Sequence, residues 1–245
     1  MKRILIFTGM HVLITGASRG IGAELALQLA EEDHQLILVA RDEKALKRVC
    51  DKCNMASGTE TAIPLVYDLT RIVSRPEEFL QRLFSHIDSL DILVNNAGLL
   101  INKPFEALGP EESKRVFETN YFVPEQLIRL CLPLLKASSE AAVINVTSMG
   151  AVQGSKKFPG LSAYSASKGA LATLTECLAE ELNEYGIKVN ALAFGAVQTE
   201  MLEQAFPGIA VSTTAEEMGQ FFKWFVLEGW KRFNGKMLPV SDGTP

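Results

Sequence analysis

The sequence predicts a single doubly wound α/β domain, and three observations predict it. Short apolar runs rich in β-branched residues alternate with amphipathic helical patterns along nearly the whole chain. The apolar runs are continuous rather than in/out alternating, which fits strands covered on both faces. No repeat, low-complexity tract or linker interrupts the pattern, so the 245 residues read as one unit with a sizeable core. Alternating β and α order implies a parallel sheet of about seven strands, with right-handed crossovers and helices on both faces. Ligands of such sheets bind in a crevice at the carboxyl ends of the strands.

The first strand is expected at residues 11–15, and the first helix at 20–32, entered through a glycine-rich turn. Strands at 35–40 and 61–66 flank a helix at 42–52, for which Asp42 is a natural N-cap. A helix at 76–87 and a strand at 91–95 follow. The long helical pattern at 111–136 contains Pro124. Proline lacks an N–H and its ring clashes with the carbonyl four residues back, here that of Asn120, which loses its helical partner. A plain kink is the ordinary alternative. Strands at 141–147, 187–193 and 236–240 and helices at 162–185 and 214–229 complete the domain, with a short lid near 200–214. Residues 1–9 precede the first motif strand and read as a dispensable extension, leaving 10–245 as the catalytic domain.

Composition excludes several classes. A net charge of −5 argues against a general nucleic-acid binder. No apolar run approaches membrane-spanning length, and Ile4–Phe7 is too short for a signal peptide, so a cytoplasmic protein is expected. Cys50 and Cys53 form a lone Cys-x-x-Cys without the second pair that a zinc site needs, while Cys131 and Cys177 read as core.

The chemistry sits in a few motifs. Thr15-Gly16-Ala17-Ser18-Arg19-Gly20-Ile21-Gly22 follows the first strand and opens the first helix. Gly16 permits the tight turn, Gly20 lets backbone approach a pyrophosphate, and Gly22 lets helix and strand pack closely. Free N–H groups at the helix start suit phosphate. At the end of the second strand an acid would bind a ribose 2′-hydroxyl, but Ala40 stands there and Arg41 follows. With Arg19 on the same side, two guanidiniums favour a 2′-phosphate, although Arg19 could also be a solvated surface charge. Tyr164-Ser165-Ala166-Ser167-Lys168 places a phenol and an ammonium four residues apart on one helix face. A nearby ammonium lowers a phenol pKa toward the range useful for acid–base work. Such a pair is usually a half-buried tyrosine beside a solvated lysine, so its meaning rests on its company. Ser148 follows the strand at 141–147, at a carboxyl end where ligands bind.

Taken together, TGASRGIG, the Asn-Asn-Ala-Gly at 95–98, Asn120, Ser148 and YSASK resemble the short-chain dehydrogenase/reductase family over essentially all of residues 10–243. The resemblance implies a Rossmann-type domain and a catalytic set of Asn120, Ser148, Tyr164 and Lys168. Tyr164 would be the general acid/base, and Ser148 would hold the substrate oxygen. Lys168 would bind the nicotinamide ribose, and the Asn120 carbonyl would hold a relay water. The implied cofactor set is Gly16, Ser18, Arg19, Gly20, Ile21 and Gly22, then Arg41, Asp68, Leu69, Asn95, Ala97 and Gly98, and finally Gly195, Val197 and Thr199 with Tyr164 and Lys168. Asp68 would contact the adenine amine, Asn95 and the Ala97-Gly98 backbone the adenosine, and Thr199 the carboxamide. The chain departs from the family in Phe194-Gly195 for the usual Pro-Gly, in a long Ser148–Tyr164 segment containing Lys156-Lys157-Phe158, in the short stretch after Thr199, and in Ser241-Asp242-Gly243.

The expectation is therefore an enzyme that prefers NADP(H) over NAD(H) and acts on a small-molecule ketone or secondary alcohol, with no nucleic-acid, membrane or metal partner. A 3-oxoacyl carrier-protein reductase is the first alternative. It is disfavoured by acidic stretches at Ser138–Glu140 and at Glu176, Glu180, Glu181 and Glu184, taken to lie near the site. A cofactor-binding sensor without catalysis is the other, although such proteins usually break the catalytic set. Apolar positions at Leu130, Leu134, Leu171, Leu174 and Leu178, with Phe221, Phe222, Trp224, Phe225 and Trp230, point to a homo-oligomer, a tetramer ahead of a dimer.

Overall fold

The structure, a computed structural model, describes residues 9–241. Seven parallel strands form one sheet: β1 (His11–Thr15), β2 (Gln35–Ala40), β3 (Ala62–Val66), β4 (Ile92–Asn95), β5 (Ala141–Ser148), β6 (Ile187–Phe194) and β7 (Met237–Val240), in the order β3-β2-β1-β4-β5-β6-β7. The chain winds outward from β1 in one direction and from β4 in the other. Their carboxyl ends therefore diverge at a switch point, where crossover loops leave a crevice.

Successive side chains of a strand point to opposite faces, and the core divides accordingly. Val12 and Ile14 of β1 pack with Leu36 and Leu38 of β2 on one side. Helices α1 (Gly20–Leu29), α2 (Glu43–Ser57) and α8 (Ala215–Leu227) supply Leu25, Leu46 and Phe222 to that layer. Leu13, Ile37 and Val39 face the opposite layer with Phe79 of α3 (Pro76–Phe84) and Leu127 of α5 (Val123–Ala137). Local chemistry sets the helix starts. The Asp42 carboxylate accepts from the Ala45 N–H, Thr214 and Glu217 form a capping box, and Pro76 and Pro110 stand at first-turn positions.

Several expectations are corrected. The long helix at 111–136 is broken into α4 (Pro110–Phe117), a π turn at Glu118–Phe122 and α5. The Val123 N–H reaches back five residues to the Glu118 carbonyl, so an extra residue absorbs the disturbance that Pro124 makes. The lid region contains a short helix, α7 (Glu200–Ala205), that periodicity did not announce. Cys177 is exposed rather than core. Cys50 and Cys53 are buried, and burial pushes their thiols up to about 12, so they pack as apolar groups. Leu134, Leu171, Phe222, Phe225 and Trp230 are covered by the chain itself, which leaves Trp224, 49% exposed, as the open aromatic of that cluster.

The acidic stretches are also misplaced by the sequence reading. A crossover helix runs antiparallel to the strands it joins, so the far end of α6 (Ser162–Glu181) lies at the amino edge of the sheet. Glu180, Glu181 and Glu184 go there with it. The Ser138 hydroxyl donates to the Asp91 carboxylate just before β4, at the same edge. Neither stretch faces the crevice.

Met10 packs on the core, and its carbonyl accepts from Gln35, so the fold is tied down from that residue onward. Residues 1–8, the bulk of the expected extension, and Asp242-Gly243 lie outside the described residues. Among the described residues no His/Cys/Asp/Glu group could hold a metal ion, and no helix is long and apolar enough to cross a membrane.

A buried polar chain fastens α6 to the sheet. Asn95 Nδ2 donates to Asn145 Oδ1 at 2.8 Å, Asn145 Nδ2 to Thr175 Oγ1 at 2.9 Å, and Thr175 Oγ1 to the Leu171 carbonyl at 2.9 Å. Replacing Asn145 by Ala strands the amide of Asn95. Urea denaturation should show a loss of about 1–3 kcal/mol for each buried group left unpaired.

Candidate active site

At the carboxyl ends of the strands lies a crevice of about 1440 Å³. Its floor begins at the glycine turn between β1 and α1. Gly16 has φ +65°, and a Cβ there would lie 2.9 Å from the Ala97 Cα. Gly22 approaches the Gly16 carbonyl so closely that a Cβ would lie 2.6 Å from it. The turn thus lies too close to the loop after β4 for a side chain at either glycine, as close helix–strand packing requires. The Thr15 hydroxyl donates to the Val94 carbonyl and accepts from the N–H groups of Asn96 and Ala97, stitching the ends of β1 and β4. Gly16, Ser18, Arg19, Gly20 and Ile21 line the crevice.

One end of the crevice is charged. Ala40, Arg41, Asp42 and Arg48 border it, with Asp68 and Leu69. Asp42 is engaged as the cap of α2, and Asp68 Oδ1 accepts from the N–H and hydroxyl of Thr70. Arg41 and Arg48 make no ion pair among the described residues, whereas Arg19 Nη1 lies 2.9 Å from Glu200 Oε2. Arg48 was not singled out from sequence. The available signal was its helical spacing, one turn beyond Ala45 on the same face of α2.

The structure separates the two asparagines at the end of β4, Asn95 within the strand and Asn96 just beyond it. Asn95 is buried in the polar chain beneath the sheet and does not line the crevice. Asn96 does line it, and its Nδ2 donates to the carbonyls of Thr15 and Gly16. Strand alternation, which puts neighbours on opposite faces, was the signal that could have told them apart. Ala97 and Gly98 border the crevice as expected.

The four expected catalytic residues converge near the middle. Asn120, fully buried in the π turn, accepts from the Leu99 N–H at 2.8 Å and donates to the Leu99 carbonyl and to Ser167 Oγ. Ser148 ends β5, Tyr164 opens the first turns of α6, and Lys168 lies one turn further along. All three border the crevice. Lys168 Nζ donates to the Val146 carbonyl at 2.7 Å. Burial pushes its ammonium down from 10.5 to about 8. The Tyr164 phenol is moved upward by burial, with a hydrogen bond to Ser148 opposing. The lysine does not depress the phenol as expected: enclosure penalises the charged forms of both groups, and only the Ser148 hydrogen bond opposes it at Tyr164.

Beyond them, Gly195, Val197 and Thr199 line the crevice. Phe194, standing where the family has proline, continues β6 and packs edge-on against Phe222 at 5.3 Å. A Cβ on Gly195 would run into Ser241, so the glycine half of that motif is a steric need. Thr199 caps α7 through Leu202 N.

Comparison with known proteins agrees with this architecture. The chain matches the family described as short chain dehydrogenase over residues 10–210. It belongs to that family, the short-chain dehydrogenase/reductase oxidoreductases. A ketoacyl reductase, HetN, of Nostoc sp. is 34% identical over 195 residues, covering 79% of this chain and 66% of the relative. A 3-ketoacyl-(acyl-carrier-protein) reductase of Brucella melitensis, solved with NADH, superposes with a TM-score of 0.85 at 26% identity, covering 96% of this chain and 98% of that one. A short chain dehydrogenase of Escherichia coli, solved with NADPH, gives 0.86 at 28% identity over 94% of this chain and 95% of that one. The chain spans just under two thirds of the length of the first curated relatives.

The enclosure of Lys168 has a thermodynamic consequence. Its folded pKa lies below that of the unfolded chain, so holding the charged form costs stability at pH below about 8. That cost fades as pH rises from about 8 toward 10.5. Lys168→Met should therefore raise the melting temperature of the cofactor-free protein at pH 7, with a smaller gain at pH 10. An equal shift at both pH values in thermal denaturation would show that the amine is not held at a cost.

Proposed function

We propose that the chain is a carbonyl reductase or secondary-alcohol dehydrogenase that prefers NADP(H). The observation that carries the reading is the convergence of Ser148, Tyr164 and Lys168 on one crevice, with Asn120 buried behind them. The residues fit the cofactor. The glycine turn leaves no room for side chains between helix and loop, and Arg41 and Arg48 face the end where a 2′-phosphate would lie. Relatives solved with NADPH and with NADH support a nicotinamide cofactor. Gly16, Ser18, Gly20 and Ile21 would hold its pyrophosphate, Asp68, Leu69, Ala97 and Gly98 its adenosine, and Gly195, Val197, Thr199 and Lys168 its nicotinamide half.

When bound, the nicotinamide supplies or accepts the hydride. The protein's own groups handle the oxygen. Ser148 donates a hydrogen bond to the substrate oxygen, favouring the charge that develops there. Tyr164 delivers or removes the proton at that oxygen. Lys168 would hold the ribose hydroxyls of the cofactor, and its charge stabilises phenolate when Tyr164 gives up its proton.

A second reading keeps the chemistry and changes the substrate to a 3-oxoacyl thioester on a carrier. The ketoacyl relatives favour it, and the acidic stretches that opposed it lie at the other edge of the sheet. NADPH oxidation with 3-oxoacyl thioesters beside free ketones separates the two. A catalytically silent sensor would bind the cofactor and turn over neither.

The chain is further proposed to be a homo-oligomer, a tetramer ahead of a dimer. A surface groove lined by Val73, Phe117 and Phe122 and the open Trp224 support an apolar interface. Light scattering at micromolar concentration should give a multiple of the 26.8 kDa chain mass.

Tyr164→Phe should cut turnover at least tenfold with cofactor affinity nearly intact, because it removes the proton donor and little contact area. Retained turnover would remove Tyr164 from the chemistry. Arg41→Ala should weaken NADPH binding by roughly 1–3 kcal/mol and leave NADH nearly unchanged, the scale of a charge-assisted phosphate contact. Titration calorimetry with both cofactors checks it, and equal losses would assign Arg41 to the fold.

A further inference from the structure

The two ends of the crevice differ in chemistry. Arg41, Asp42, Arg48 and Asp68 border one end. Arg115 and Glu118 reach the crevice from α4 and from the π turn, which packs against Leu69–Val73 beside that end. Beyond Ser148 and Tyr164 the lining changes to Met149, Phe158, Leu161, Met201, Phe206 and Ile209. They come from the loop after β5, from the start of α6 and from α7 and the segment after it. The carboxylate at this end, Glu200, is engaged by Arg19. The hydroxyl residues here, Ser212 and Thr213, already have partners within the protein. The Lys157 amine is taken up by the Val152 carbonyl and Ser155 Oγ, and Lys156 Nζ lies 5.8 Å from the Phe158 ring centre.

This apolar wall is held in place by polar contacts outside it. The Arg19–Glu200 pair ties the start of α7 to the glycine turn, and Asn102 Nδ2 donates to the Ala205 carbonyl at its end, 2.8 Å away. Three of the apolar side chains remain substantially open: Phe158 at 43%, Met201 at 37% and Ile209 at 41% exposure. Exposed apolar side chains grouped on a pocket rim mark surface that a ligand covers.

We infer that the carbonyl substrate is carried on an apolar body, an alkyl chain or aromatic ring, and is not a polyhydroxylated or charged compound. This rests on the reading of the crevice as a carbonyl reductase site. The carbonyl oxygen lies between Ser148 and Tyr164, and the apolar body runs out under α7 to the lip formed by Phe158, Met201 and Ile209. Each added methylene covers more of that wall and raises affinity about fourfold. A sugar ketose places hydroxyls against the same wall without partners, and each one loses about tenfold.

The test measures NADPH oxidation by the 245-residue chain with 2-alkanones from 2-butanone to 2-decanone, with acetophenone and with a ketopentose. In parallel, calorimetry measures binding of the matching 2-alkanols to the protein with NADPH present, a pair that cannot react. The expected result is a kcat/KM that climbs severalfold per methylene over the first members, with the ketopentose lowest. Ile209→Asp should flatten that climb by lowering 2-decanone more than 2-butanone. Turnover that ignores chain length, or that favours the ketopentose, overturns the apolar substrate while the carbonyl reductase reading stands. Alkanol affinity that rises with chain length in a protein that reduces none of the ketones supports the apolar site and overturns the reaction. Absence of both turnover and chain-length-dependent binding overturns both.

Discussion

The crevice depends on one buried side chain, the amide of Asn120. It has no exposure, and it spends both ends on the protein: on both backbone groups of Leu99 in the loop after β4, and on Ser167 in α6. A buried amide costs free energy unless its groups are paired, so these partners are obligatory. The loop and the helix that carries Tyr164 and Lys168 are thereby held to each other. Asn120 occupies that position because the π turn before Pro124 reorients the chain there, and π turns recur at functional sites.

A second polar chain, Asn95–Asn145–Thr175, pins the middle of the same helix to β4 and β5. Between these fastenings α6 has little freedom to slide. Rigidity matters because Lys168 is buried with its amine on the Val146 carbonyl, a placement that burial alone opposes. The fold accepts a local loss of stability to hold a cation in the crevice that Tyr164 also lines, and such trade-offs gather at functional sites.

Charge is distributed along the crevice in a way that fits a two-part ligand. Guanidiniums gather at the end bordered by α2, and apolar side chains at the end bordered by α7. Arg19 stands between them, on the glycine turn but paired to Glu200 at the start of α7. That pair is exposed, so solvent screens it, and a doubly charged phosphate would compete with Glu200 for the same guanidinium.

Much of this was legible in the order of residues. Periods of two and of 3.6, glycine spacing in the first turn, the Tyr164–Lys168 interval and the Asp42 cap are local properties, set by chain geometry within a few residues. They determined the seven strands, the main helices, the glycine turn and the identity of the catalytic candidates. Tertiary structure decided what depends on contacts far apart in sequence. Asn96 reaches Thr15 and Gly16 across some eighty positions, and Arg19 meets Glu200 across 181. Neither separation leaves a periodic trace. The same holds for the partner of Asn95, which is Asn145, fifty positions away. Lys168 shows the division most plainly: spacing placed its amine near a phenol, but only enclosure by the folded chain set the charge it keeps, because desolvation depends on everything packed around it.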